Sequence, residues 1–174
     1  METLSRVFKP IKTDDELFKL ADGGTVGVAW AVDKDGAGRP TGKRGQKPIL
    51  LLCPGLGGKI DNLYTTAILR YATERGYKVG TIYFRCSEGI PITSPKVNYA
   101  GAWEDLKHII EYVNKKYVTD PETGKKKTSL YAFGCSLGAL ILGLYAGYDA
   151  EKASEILDGI VLYATPWNLS LIHI

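Results

Sequence analysis

Gly134-Cys135-Ser136-Leu137-Gly138 sets a serine hydroxyl between two glycines at the spacing G-x-S-x-G. The pattern carries chemistry only where a strand runs into it and a helix leaves it, because that turn lifts the hydroxyl clear of a sheet. Thr128 to Phe133 reads as an apolar strand and Leu137 to Tyr148 as a helix, so the context is met. The turn leaves no room for bulk two residues before and two after the serine, which accounts for Gly134 and Gly138. A plain helix N-cap at Ser136 would account for neither glycine. The chemistry such an elbow supports is nucleophilic attack by Ser136 on a carbonyl, through an acyl-enzyme.

That chemistry also needs donors for the oxyanion, one from the amide after the nucleophile and one from the loop after an earlier strand. Cys53-Pro54-Gly55-Leu56-Gly57-Gly58 follows an apolar run and precedes a helix pattern, so its glycine-rich backbone can aim amides at the serine. The backbone N–H groups of Leu56 and Leu137 are the candidate donors. A phosphate-cradling loop fits less well, since neither the lysine-bearing P-loop nor G-x-G-x-x-G is matched.

The elements that must hold these pieces alternate along the chain. Thr25–Val32 reads as an early strand and Pro48–Cys53 as a strand buried on both faces. Asn62–Arg75 follows helical spacing and ends at Gly76, Lys78–Phe84 is a strand, and Asn98–Tyr117 is an amphipathic helix. Beyond the elbow helix, Ile160–Ala164 is a further strand. This order predicts an α/β fold with a doubly wound, mostly parallel sheet.

The background composition is that of a globular domain: 174 residues, 45% hydrophobic and 24% charged, with net charge +3 scattered rather than clustered. Nothing in it points to nucleic acid. Lys125-Lys126-Lys127 follows Pro121 and Gly124 and reads as a solvated turn. Cys53, Cys86 and Cys135 form no CxxC pair, and they read as reduced, small apolar fillers of a cytoplasmic protein. No apolar run approaches the roughly 18 residues of a membrane span, and no signal peptide is visible.

Several segments together carry a family resemblance. Pro54-Gly55-Leu56-Gly57-Gly58, Gly76-Tyr77-Lys78-Val79, Tyr83-Phe84-Arg85-Cys86, Pro91-Ile92-Thr93-Ser94-Pro95, Ala100-Gly101-Ala102-Trp103-Glu104-Asp105-Leu106 and the elbow occur in the order and spacing of the AB hydrolase 4 family. From about Asp22 to Leu169 the chain resembles that family, whose fold is the α/β-hydrolase fold. The resemblance implies a serine esterase or lipase acting on acylglycerol- or phospholipid-like esters. It implies no cofactor and no metal, a small-molecule or lipid ester as partner, and compatibility with peripheral membrane contact of the intact protein. Departures are Cys135 where phenylalanine is usual, Ala139 and Cys86 where glycine is usual, and Asn168 where aspartate is usual.

In this fold the triad runs serine, acid, histidine along the chain. The expected acid and histidine are not found here, so the fold is expected to be incomplete at its C-terminus and residues 1–174 inactive by themselves. His108 precedes the serine and belongs to a helix surface. Asp149, Glu151 and Asp158 follow the serine too closely and are expected to be solvated loop residues. His173 is set aside because residues 170–174 read as a non-native tail. The expected organisation is an N-terminal extension over 1–21 and the front part of the hydrolase domain over 22–169. The alternatives are a non-catalytic binding or scaffold protein of the same fold, or a thioesterase or acyltransferase using the same nucleophile.

Overall fold

The computed structural model describes residues 11–34, 36–58, 60–87 and 89–172. Among them, six strands make one mixed sheet: β1 Thr13–Lys19, β2 Thr25–Ala31, β3 Ile49–Cys53, β4 Lys78–Tyr83, β5 Leu130–Cys135 and β6 Gly159–Tyr163, in the spatial order β1-β2-β4-β3-β5-β6. β2 is antiparallel to both β1 and β4, whereas β4, β3, β5 and β6 run parallel. The helices are α1 Leu63–Glu74, α2 Trp103–Val113, α3 Leu137–Tyr148 and α4 Ala150–Ile156.

Burial on both faces explains the unbroken apolar run of β3. Ile49, Leu51 and Cys53 pack into the larger core with α2 and α3, while Leu50 and Leu52 belong to the smaller cluster under α1. On α2, Leu106, Ile109, Ile110 and Val113 form a fully enclosed stripe. Each contributes roughly 1.5–3 kcal/mol by leaving water. α3 is the helix that follows the elbow, and its buried residues Gly138 to Leu142 and Tyr145 seat its start firmly against the sheet.

Residues 13–19, placed by sequence in an N-terminal extension, form β1, an edge strand of this same sheet. Its polar run TDDELFK hides one buried carboxylate. Glu16 accepts hydrogen bonds from Trp30 Nε1 at 2.8 Å, from the Tyr112 hydroxyl at 2.7 Å and from the Tyr117 hydroxyl at 2.9 Å, and it pairs with Lys116. Burial alone would raise the Glu16 carboxyl, but hydrogen bonds from Lys116, Trp30 and the two tyrosines outweigh it and hold the pKa down to about 2.

The expected helix over 98–117 is shorter at its start. Turn bonds from Ala102 N–H to the Tyr99 carbonyl and from Trp103 N–H to the Gly101 carbonyl delay it to Trp103. After Val113 it widens into a π turn, Asn114–Val118, which brings Tyr117 to Glu16. Residues 150–156, which the sequence pattern leaves as a connecting loop, form the helix α4. Two acids on either side of it are structural rather than solvated. Asp149 pairs with Lys107 at 2.7 Å. Asp158 accepts the Leu130 N–H at 2.8 Å and pairs with Lys126 at 3.0 Å, so the middle lysine of the 125–127 run is also engaged.

β6 is the sheet's outer strand among the described residues, with Val161 and Tyr163 more than half exposed. An apolar groove of about 670 Å³ opens between α1 and the faces of β5 and β6, lined by Leu50, Ile68, Tyr71, Phe133 and Val161 among others. His173 and the end of the tail lie outside the described residues. Among the described residues no helix is long and apolar enough to cross a membrane.

Candidate active site

β5 ends at Cys135 and α3 begins at Leu137, which leaves Ser136 alone to turn the chain. It does so at φ 50° and ψ −118°, a conformation that L-residues avoid. The serine is exposed, and its side chain makes no capping hydrogen bond to α3, so the N-cap explanation fails. Backbone bonds hold the strained residue in place: Ser136 N–H donates to the Tyr163 carbonyl at 2.9 Å, and Leu140 N–H donates to the Ser136 carbonyl at 3.0 Å.

The flanking glycines answer to separate contacts. A Cβ on Gly134 would stand 2.5 Å from Ala139 Cα, within the turn itself. A Cβ on Gly138 would stand 2.2 Å from the Cys53 carbonyl oxygen and 2.4 Å from that of Pro54, so this glycine is demanded by β3 and its loop rather than by the tightness of the elbow.

Parallel pairing sets Cys53 opposite Gly134, and the loop after β3 therefore emerges beside the elbow. A Cβ on Gly55 would be 3.3 Å from Ser136 Cβ. Gly58 N–H closes a turn onto the Gly55 carbonyl at 2.9 Å, and Gly57 holds φ +63°. The amides of Leu56 and Leu137 have no acceptor among the described residues. Two unspent N–H groups thus lie on the two backbone segments that meet at Ser136, and the Leu56 side chain points into solvent, 86% exposed.

A polar-edged cavity of about 280 Å³ adjoins this loop, walled on its other side by Phe84, Cys86, Val97 and Asn98. Its wall is fixed by Arg85, which is buried and bonded to Asp105 at 2.9 Å, Asp22 at 2.9 Å and Ser94 at 2.9 Å. Hydrogen bonding to Asp105 raises the Arg85 pKa, and bonding to Arg85 holds Asp22 well below the usual carboxylate range. Arg85 is therefore spent on structure. The larger groove under α1 lies elsewhere, and Ser136 is not among the residues that line it.

The cysteines divide. Cys53 is fully enclosed and burial pushes its thiol up to about 12, and burial also raises Cys135. Cys86, expected as a buried filler, is instead exposed at φ +58°, because it occupies a left-handed turn after Arg85. His108, the one histidine among the described residues, is exposed on α2 and donates Nδ1–H to the Glu104 carbonyl at 2.6 Å. Among the described residues no cluster of three or more His, Cys, Asp or Glu side chains could hold a metal. One contact had no signal in the sequence: Gly55 N–H donates to the Tyr64 hydroxyl at 3.1 Å.

Comparison with known proteins follows the same lines. The chain is 30% identical over 165 residues to embryogenesis-associated protein EMB8 of Picea glauca, covering 94% of this chain and 34% of that protein. It is 28% identical over 171 residues to phospholipase ABHD3 of Homo sapiens, covering 96% and 39%. Both relatives are of the AB hydrolase 4 type. This chain is similar to members of that family. It spans 34% and 39% of the length of these two AB hydrolase 4-type relatives. No protein-family profile matches it. Among solved structures, the Pyrococcus furiosus esterase Pf2001 superposes with a TM-score of 0.64 at 19% identity, covering 97% of this chain and 55% of that one. That likeness gives the fold: an α/β-hydrolase sheet.

Proposed function

We propose that the protein hydrolyses carboxylic esters, with Ser136 as nucleophile. The observation that carries this reading is the strained, exposed, uncapped Ser136 at a strand-to-helix turn whose two glycines have no space for a side chain. A hydroxyl held at such a backbone cost, with no capping bond to its own helix, suits attack on a carbonyl. The oxyanion that forms would be met by the amides of Leu137 and Leu56. The names of the relatives, a phospholipase among them, favour acylglycerol- or phospholipid-like esters as the substrate class.

Covalent catalysis by serine also needs a base to take its proton. His108 is spent on its own helix. The described residues supply no histidine base. Three free cysteines suit a reducing compartment, and we place the protein in the cytoplasm.

The experiment is covalent labelling by a fluorophosphonate of the protein as expressed from its own gene. Labelling at Ser136, abolished in Ser136→Ala, is the expected result. A variant that still labels fully would put the nucleophile elsewhere.

A further inference from the structure

We propose that Tyr64 is a positioning residue for the oxyanion loop, an inference that rests on the ester-hydrolase reading. Loop 54–58 has to present one amide, that of Leu56, toward the space over Ser136. Its neighbour must be kept from competing. Gly55 N–H is drawn off by the Tyr64 hydroxyl at 3.1 Å, at the start of α1. The same hydroxyl lies beside the far end of the loop, where a Cβ on Gly58 would stand 2.9 Å from it. Gly58 N–H in turn closes onto the Gly55 carbonyl.

One phenol oxygen therefore bonds one end of the turn whose middle is Leu56-Gly57 and lies beside the other. The site is close to the chemistry: a Cβ on Gly55 would lie 3.7 Å from the Tyr64 hydroxyl and 3.3 Å from Ser136 Cβ. Gly57, at φ +63° with open space around it, gives the middle peptide freedom to rotate unless its ends are held. Holding them fixes where the Leu56 N–H points, and a donor aimed in advance at the developing charge favours the transition state over the bound ester. Loss of the hydroxyl should thus lower kcat and leave KM in place.

The test is Tyr64→Phe, in the protein as expressed from its own gene, which deletes one oxygen and keeps the ring. Fluorophosphonate labelling is followed for its rate and final extent, alongside kcat and KM for a p-nitrophenyl ester. The final extent counts competent sites, so loss of folded protein would lower the extent, whereas a misaimed donor lowers the rate. The expected result is unchanged extent and KM, with the labelling rate and kcat down about tenfold, the order of one neutral hydrogen bond. Wild-type kcat in Tyr64→Phe, or a loss carried by KM, overturns the proposal. Labelling that survives Ser136→Ala defeats the ester-hydrolase reading instead.

Discussion

Gly138 at the start of α3 rests on the carbonyl oxygen of Cys53 at the end of β3, so closely that an added Cβ would stand 2.2 Å from it. The partner atom is backbone and cannot swing aside. Gly138→Ala must therefore push α3 away from β3 and carry Ser136 with it. We expect a destabilisation of about 1–3 kcal/mol, the usual cost of overpacking, together with loss of fluorophosphonate labelling. Gly147→Ala on the same helix meets nothing within 4 Å and should stabilise by about 0.5–1 kcal/mol. Equal melting temperatures for the two variants would contradict the contact.

Cys86 holds φ +58° and is exposed, so its side chain contributes little packing to offset the backbone strain. A left-handed L-residue costs roughly 1–2 kcal/mol, most of it absent for glycine, and glycine loses part of that gain to the entropy of the unfolded chain. The expected melting order is Cys86→Gly at or above the native protein, and Cys86→Val clearly below both, since a β-branched side chain fits that region worst. Thermal unfolding of the three proteins decides it.

Glu16 ties β1 to α2 and to the π turn after it, and its carboxyl titrates at about 2 when folded against an ordinary 4.5. A depressed carboxylate contributes stability that is fully present above its unfolded pKa and lost as pH falls through the folded one. The loss should therefore run from about pH 4.5 down to about pH 2. Allowing for screening at the partly exposed Lys116, the contribution is about 2 kcal/mol. Glu16→Gln should lower stability at pH 7 and flatten this acid limb in urea unfolding. An acid limb of unchanged steepness in the variant would assign the effect to other carboxylates.

Local pattern was enough for much of this protein. β3 and α3 announce themselves because each is apolar on every face that a neighbour covers, and G-x-S-x-G between β5 and α3 needs no distant partner to be seen. β1 was hidden for the opposite reason. Its pattern is polar, and Glu16 is tolerable inside only because Tyr112, Lys116 and Tyr117, about a hundred residues along the chain, bring it hydrogen-bond donors.

α4 and the late start of α2 depended on turn bonds and ion pairs that spacing does not record. Gly138 could be read from sequence as a glycine of the elbow, but its actual constraint, the Cys53 carbonyl, exists only once β3 and β5 lie side by side. Tyr64 carried no signal at all: its hydroxyl, on the first turn of α1, meets the Gly55 amide only in the folded chain. Residue type and near-neighbour spacing determine where strands, helices and a reactive serine can form. Which amides face that serine, and which carboxylates and cysteines are spent or exposed, is decided by groups far apart in the chain that meet only when the helices pack onto the sheet.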